Sequence, residues 1–227
     1  MKALAIDSAV SGITVAAVND EKKASLFLDI GMKQSEKLLP AVQYVMEQVQ
    51  LQPGELEFTV LDKGPGSFTG LRLGFAALKA LELAFTCPVY GVTTLDAYAY
   101  PYKAWPGSVL AVIDAKKDRL YAALYRNGTQ THAPADAEPE KIRSWLDGEQ
   151  PVLLVGADAA FAYRTLTERY ESELDLRYFG NIQASASDAL FAIADGMRQN
   201  GEAPLAPYEG PLYLRKSEAE ESVGKPR

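Results

Sequence analysis

Cysteine and histidine are nearly absent from this chain of 227 residues, which contains one of each, Cys87 and His132. A lone cysteine excludes an internal disulfide and is typical of a reducing compartment. One histidine and one cysteine cannot supply the ligands of a His/Cys zinc site. A Ser/His/Asp triad would need His132, and no G-x-S-x-G motif is present. We expect Cys87 to lie in the core and His132 to be exposed in a polar loop.

Long apolar runs and clusters of positive charge are also missing. No stretch approaches the ~20 apolar residues of a membrane-spanning helix, and no charged leader with a cleavage site is visible. The chain has 30 acidic and 23 basic residues, a net charge of −7, and no Lys/Arg run longer than two. Because nucleic-acid affinity depends largely on neutralised phosphates, we expect the isolated chain to bind nucleic acid poorly. These features predict a cytoplasmic protein without membrane contact.

The most informative stretch combines a short apolar run, a glycine-rich turn and a helical pattern. Residues 58–61 have the length and composition of a buried strand. From Thr69 onward, apolar residues recur every three or four positions, which predicts a helix. The turn between them is a candidate anion or partner site, because backbone N–H groups point outward at a helix N-terminus. The alternative is a tight turn that needs glycine for its own backbone. The site residues proposed there are Gly64, Gly66, Ser67, Thr69 and Gly70.

The glycine spacing excludes two common phosphate-binding motifs. No Lys-Ser or Lys-Thr pair follows the last glycine, as a Walker loop requires, and the third glycine comes one residue too late for the dinucleotide fingerprint. Small residues continue into the helix instead, at Gly70, Gly74, Ala76, Ala77, Ala80 and Ala84. Small side chains let two backbones approach closely. We therefore expect this helix to pack on more than one side, within the subunit or against another.

The chain contains an approximate internal repeat of strand, aspartate, polar turn and strand. Residues 4–20 match residues 111–127 when Asp7 is placed on Asp114, which lies 107 positions later, and the same offset places Tyr121 on Thr14. Most positions of this alignment pair identical or apolar residues. The likeness fades beyond residue 127, so chance similarity is the alternative to duplication.

Two lobes that each open with such a hairpin indicate an α/β protein of the two-lobe actin-like (ASKHA) fold. This fold has a duplicated mixed β-sheet with flanking helices. We place the N-terminal lobe at 1–104 and the C-terminal lobe at 105–227, with a charged tail from about residue 217.

The two aspartates of the repeat are the remaining candidates for metal-assisted phosphate chemistry. An actin-like ATPase needs glycine in both turns so that phosphates can approach the backbone. Here the first turn contains only Gly12 and the second, residues 115–119, contains none. We interpret both turns as degenerate phosphate loops, with the positions Asp7, Ser8, Asp114, Lys116 and Arg119. The alternative hypothesis is an actin-like nucleotide-hydrolysing enzyme that uses Asp7 and Asp114.

Six stretches, in order along nearly the whole chain, resemble the TsaB (YeaZ) family of the tRNA threonylcarbamoyladenosine-modifying machinery. The longest and most specific is GPGSFTGLRLG at 64–74. At Gln34 the family often has His, so we infer that this position is not a required ligand. The other matching stretches are LAIDSA at 4–9, SEKLLP at 35–40, GVTTLDA at 91–97, VIDAKKDRLYAALY at 112–125 and YLRK at 213–216.

This resemblance implies a non-catalytic scaffold subunit with no metal site and no required cofactor. Such a subunit docks TsaD, a catalytic paralogue that modifies adenosine 37 of tRNAs reading codons that begin with A. A small ATPase, TsaE, joins the pair, and family members alone form homodimers. The resemblance also implies that tRNA is reached only through the complex, and it is compatible with ATP or ADP at the interface.

The docking face implied by the resemblance consists of the two helices that follow Ser35 and Thr69. Large apolar and arginine side chains are the usual anchors of such interfaces. For Leu38 and Phe75, burial in the core is the alternative, since apolar helix faces usually point inward. The predicted contacts are Lys37, Leu38, Phe68, Arg72, Leu73 and Phe75.

Overall fold

The computed structural model describes residues 1–31, 33–148, 151–170, 174–179 and 186–215. The predicted charged tail from about 217 lies outside these ranges. The strands are β1 (Lys2–Asp7), β2 (Ile13–Asn19), β3 (Lys22–Leu28), β4 (Phe58–Asp62), β5 (Val89–Val92), β6 (Ser108–Asp114), β7 (Leu120–Arg126), β8 (Thr129–Ala137), β9 (Val152–Val155) and β10 (Leu176–Tyr178). The α-helices are α1 (Gln34–Gln48), α2 (Phe68–Phe85), α3 (Thr94–Ala99), α4 (Pro139–Trp145), α5 (Ala159–Tyr170) and α6 (Ser187–Gln199).

The strands form two five-stranded mixed sheets of the same topology. The first has the order β3-β2-β1-β4-β5, and the second, read from its opposite edge, has the order β8-β7-β6-β9-β10. In each sheet the first three strands are antiparallel and the remaining two add in parallel. The duplication predicted from the repeat is therefore confirmed at the level of topology.

The elements stack in layers, with helices between the two sheets and on the outer face of each. The inner apolar cluster joins residues of both sheets with α3 and α6. A second cluster packs α1 and α2 on the outer face of the first sheet, and a third packs α4 and α5 on the second sheet. Although α6 lies late in the sequence, it packs on β1, β4 and β5 of the first sheet. A helix from the second half of the sequence therefore packs on the first sheet.

The alignment of the repeat on Asp7 and Asp114 is wrong by one residue in its first strand. Ala5 faces the inner cluster, whereas Val112, its partner at an offset of 107, faces the outer one. At an offset of 106, the paired residues of the two strands face the same side of their sheets. A shift of one residue matters because it turns every side chain of a strand to the opposite side. Asp7 pairs with Thr14 across the first hairpin, and Ile113 pairs with Tyr121 across the second.

The counterpart of Asp7 is consequently the apolar residue Ile113, and Asp114 corresponds to Ser8. The alignment of Tyr121 on Thr14 is correct, since the second hairpin contains one additional turn residue. The two lobes therefore do not present equivalent aspartates to the space between them.

The helix starts are set by different groups. Lys33, with a φ of 73°, occupies the N-cap position of α1, and Ser35 lies inside the helix. The cap of α3 is Thr93, whose side chain accepts a hydrogen bond from Asp96 N. On α2, the Ser67 side chain accepts from Gly70 N, so a serine cap fixes the start of this helix.

Candidate functional site: a filled turn and an exposed helical face

The first degenerate phosphate turn is packed directly against the start of α2. Ser8 N donates to Asp62 Oδ1 at 2.9 Å, and Ser8 Oγ donates to Gly70 O at 2.9 Å. Ser67 N donates to Ala9 O at 2.6 Å. Since Ser8 N and its hydroxyl are bonded within the protein, neither is directed at a ligand.

The glycines of the α2 turn serve this close approach. A Cβ on Gly66 would lie 2.4 Å from Ala9 O, and one on Gly70 would lie 2.0 Å from Ser8 O. Gly64 needs glycine for a second reason, because its φ is +105°. Of the two interpretations offered by the sequence, packing of a tight turn accounts for these contacts without a bound anion. Thr69, the last residue of the predicted site, is exposed on the first turn of α2.

Two carboxyl groups are buried together beneath this turn. Asp7 and Asp62 are both almost inaccessible to solvent. Burial raises the pKa of Asp7 from 3.8 to about 6. Burial, together with the charge on Asp7, raises the pKa of Asp62 well above its usual value. Sequence reasoning missed Asp62, whose only local signal is an aspartate at the carboxyl end of an apolar strand.

The charged side chains of the second degenerate turn bind other groups of the protein. Asp114 accepts hydrogen bonds from Lys116 N at 2.8 Å and from Lys116 Nζ at 2.6 Å. Arg119 donates to Asp136 at 2.8 Å and also contacts Glu138. The side chains of Lys116 and Arg119, two of the predicted degenerate phosphate-loop positions, therefore have intramolecular partners.

The hydrogen bonding of these two turns does not fit the phosphate groups of a nucleoside triphosphate bound between the lobes. Phosphate binding requires backbone N–H groups that lack other acceptors, whereas Ser8 N, Asp114 N and Lys116 N each donate to a carboxylate. In the ranges that the structure describes, no group of three His, Cys, Asp or Glu side chains could hold a metal ion.

The predicted docking residues separate into surface and core positions. Lys37 and Arg72 are exposed, and Phe68 and Leu73 are half-buried. Leu38, which is 1% exposed, and Phe75, which is 6% exposed, belong to the core beneath α1 and α2. The core alternative is therefore correct for these two residues, which are not available as surface anchors.

The outer faces of α1 and α2 carry exposed apolar side chains. Leu83 is 87% exposed and Leu39 is 63% exposed. Phe85, the last residue of α2, is also partly exposed. We call the solvent-facing surface of these helices the α1–α2 face, and define it by Lys37, Leu39, Tyr44, Arg72, Ala76, Ala80, Leu83 and Ala84.

One long-range contact joins this face to the end of the described chain. The rings of Phe68 and Tyr213 are stacked with centroids 3.9 Å apart and planes 2° apart. The Arg72 guanidinium lies 4.9 Å from the Phe68 ring centroid, and Arg72 Nε donates to Tyr213 Oη at 3.1 Å. The match of residues 213–216 to a family motif was the only sequence signal for Tyr213, and it gave no partner.

The lone cysteine and the lone histidine both pack against other parts of the protein. Cys87 is buried as predicted, and burial raises the pKa of its thiol to about 11, so a reactive thiolate is disfavoured. The prediction of an exposed His132 is wrong. Its ring lies in β8 and stacks on Trp145 at a centroid distance of 4.9 Å, because alternate residues of this strand face the helix α4.

The paired sheets and the helices between them define an actin-like ATPase fold, as predicted. A Bacteroides thetaiotaomicron protein with the actin-like ATPase fold and unknown function aligns with a TM-score of 0.51 and 10% identity over 84% of this chain and 95% of that chain. A structure from Pseudomonas aeruginosa, of an uncharacterized protein with similarity to peptidase YEAZ, aligns with a TM-score of 0.79 and 24% identity, covering 94% and 99% of the two chains.

Sequence comparison identifies the family within this class. The family model for TsaD, tRNA N6-adenosine threonylcarbamoyltransferase, matches residues 31–220. The tRNA threonylcarbamoyladenosine biosynthesis protein TsaB of Escherichia coli is 30% identical over 96% of this chain and 96% of its own length. The chain belongs to the TsaB (YeaZ) family, whose fold is shared with TsaD.

The described ranges contain no helix with both the length and the apolar character needed to cross a lipid bilayer.

Proposed function

We propose that this chain is a non-catalytic subunit of the complex that forms N6-threonylcarbamoyladenosine at position 37 of tRNAs that read A-starting codons. In this proposal its α1–α2 face docks a TsaD-like catalytic paralogue, a TsaE-like ATPase joins the pair, and tRNA binds only to the complex. The same face forms a homodimer when the chain is alone. Family membership and the exposed apolar side chains of α2 support the proposal.

The exposed face of α2 is the observation that carries the docking role. Leu83 stands almost fully in solvent, and the exposed alanines 76, 80 and 84 precede and follow it on the same helix. Contiguous exposed apolar residues on a soluble protein often mark an interaction surface. Alanine side chains add little height, so a partner helix can approach this face closely.

The absence of a catalytic role is supported by the state of the two turns. The hydroxyl and amide of Ser8 are committed to Gly70 and Asp62. The second turn places Asp114, not a counterpart of Asp7, next to Lys116. A hydrolytic mechanism would require both turns to release these contacts before a phosphate could bind.

The docking proposal is tested by the affinity of the purified chain for the TsaD homologue of the same organism. Leu83→Glu places a charge on the exposed apolar side of α2, and we expect a loss of about tenfold or more. Ala160→Glu is the matched control, because Ala160 is exposed on α5, which packs on the second sheet and lies away from both helices. Wild-type affinity for both variants would contradict docking through this face.

The non-catalytic role needs a separate measurement. We expect threonylcarbamoyl transfer to tRNA only when both subunits are present, and no ATP turnover by this chain alone. Turnover by the isolated chain that disappears in Asp7→Asn would instead support the nucleotide-hydrolysing alternative.

A further inference from the structure

The last described residues form a strap that crosses from the first sheet to the second. We define the C-terminal strap as residues 205–215. Leu205 N donates to Val89 O at 2.8 Å, on the free edge of β5, and Leu212 N donates to Lys63 O at 2.6 Å. These backbone bonds hold the strap against the first sheet and beside α2.

The far end of the strap is fixed on the second sheet. Arg215 donates to both carboxylate oxygens of Asp136, at 2.9 and 3.0 Å, and to Ala115 O at 3.0 Å. Tyr213 lies between the two attachment points. Its ring position is therefore set from both sides before any partner binds.

Tyr213 restrains Arg72 at the edge of the α1–α2 face. The guanidinium lies 4.9 Å from the centroid of Phe68 and 5.8 Å from that of Tyr213, while its Nε donates to Tyr213 Oη. An exposed arginine normally loses considerable side-chain freedom when it binds a partner. In this position much of that freedom is already lost in the free protein.

The two terminal nitrogens of Arg72 remain available for a ligand. No hydrogen bond or ion pair from them to a residue of the described ranges is present, and the side chain is exposed. The neighbouring cation Lys79 is occupied by Glu82 at 2.9 Å and by Ala206 O at 3.0 Å. Glu209 lines a shallow groove together with Arg72 and Lys79, but it makes no ion pair with Arg72 within 4.0 Å.

We infer that Tyr213 is a positioning residue that holds Arg72 ready to bind a carboxylate of the catalytic subunit. This inference rests on the proposed function, because it names the chemistry of one contact on that docking face. A guanidinium presents a planar pair of donors that matches a carboxylate, and a restrained one binds at a lower entropic cost. The contact lies at the N-terminal part of α2, where the helix dipole also favours negative charge.

The test measures the dissociation constant for the TsaD homologue at several salt concentrations. We expect Arg72→Gln to weaken binding by about 10- to 100-fold and to flatten the salt dependence. Tyr213→Ala removes the ring and should cost about tenfold. Tyr213→Phe retains the stack and loses only the hydroxyl acceptor, so it should recover most of the affinity, with a remaining loss of about threefold to fivefold.

A double variant separates positioning from a direct contact. If Tyr213 acts through Arg72, then Tyr213→Ala should add little once Arg72→Gln is present. Tyr178→Ala, at an exposed tyrosine on β10 of the second sheet, is the control and should bind like the wild type. If the double variant loses as much binding free energy as the two single variants together, Tyr213 acts independently of Arg72, and this result would overturn the positioning role.

The outcomes also distinguish this inference from the docking proposal. If Leu83→Glu abolishes binding while Arg72→Gln and Tyr213→Phe bind like the wild type at low salt, docking stands and the role of Tyr213 is refuted. If Leu83→Glu also binds normally, the proposed docking face itself is wrong. Tyr213→Phe remains interpretable even if Tyr213→Ala is unstable, because the stacked ring is preserved.

Discussion

Replacing Asp7 by asparagine should change how the stability of the protein depends on pH. The Asp7 carboxyl is buried beside Asp62, and its pKa is raised to about 6 from 3.8. The folded protein therefore retains this proton at pH values where the unfolded chain has already released it. Consequently, the free energy of unfolding should fall as the pH rises from about 4 through 6, and the loss should be complete above the folded pKa.

The size of the change in unfolding free energy follows from the shift of the Asp7 pKa. A difference of about two pKa units corresponds to ~3 kcal/mol, since each unit is worth about 1.4 kcal/mol. Asparagine keeps the shape of the side chain and cannot ionise. With Asp7 neutral, Asp62 loses the neighbouring charge that raises its pKa. Burial alone still raises the pKa of Asp62 in this variant, so the decline that remains should be smaller and should end at a lower pH than in the wild type, and it should disappear when Asp62→Asn is added.

The assay is urea unfolding followed by far-UV circular dichroism between pH 4.5 and 8. Asp7→Asn should become more stable relative to the wild type as the pH rises, by up to ~3 kcal/mol at pH 8. Asp29→Asn, at an exposed position before α1, is the matched control and should follow the wild-type profile. Parallel profiles for Asp7→Asn and the wild type across this range would refute the burial of an ionisable pair.

Three further predictions test the packing of α2 and of other parts of the chain. Gly70→Ala should destabilise the protein by roughly 1–3 kcal/mol, because the added Cβ would lie 2.0 Å from Ser8 O. Gly196→Ala adds a Cβ that meets open space inside α6, and it should stabilise the protein by about 0.5–1 kcal/mol in the same denaturation assay. Leu83→Ser should leave the unfolding free energy within about 0.5 kcal/mol of the wild type, and it should reduce any homodimer seen by analytical ultracentrifugation; an unchanged dimer would place that interface elsewhere. Cys87 should resist iodoacetamide at pH 8 until the protein unfolds, as followed by mass spectrometry, and rapid modification of the folded chain would contradict its burial.

Local sequence patterns predicted the elements of the fold well because each pattern reflects a nearby constraint. The change from the apolar run at 58–61 to a three- and four-residue period located β4 and α2, and the serine at 67 caps the helix directly. The repeat predicted two equivalent hairpins, and the sheets have that topology. Periodicity alone could not decide which apolar side chains of α1 and α2 remain exposed, as Leu39 and Phe85 illustrate.

The features that sequence reasoning missed all depend on contacts between distant segments. Asp62 meets the Ser8 turn because β4 adds in parallel beside β1, and Tyr213 reaches Phe68 only because the strap returns along α2. The misplacement of Asp114 has a different cause. Identical residues, Asp7 with Asp114 among them, and pairs of apolar residues favoured an offset of 107, while the alternation of strand faces requires 106 for β1 and β6.

The glycines that resemble a ligand-binding motif have a further consequence for docking. A glycine commonly allows a ligand to approach the backbone, but at Gly66 and Gly70 the approaching group is the β1–β2 turn of the same protein. Contact at 2.9 Å between Ser8 Oγ and Gly70 O fixes the first turn of α2 relative to the sheet. Because Arg72 lies two residues beyond Gly70, this packing also orients the part of the α1–α2 face that we propose to contact a partner. A side chain larger than serine at position 8 should therefore weaken docking by tilting α2, even though Ser8 is buried and cannot touch the partner.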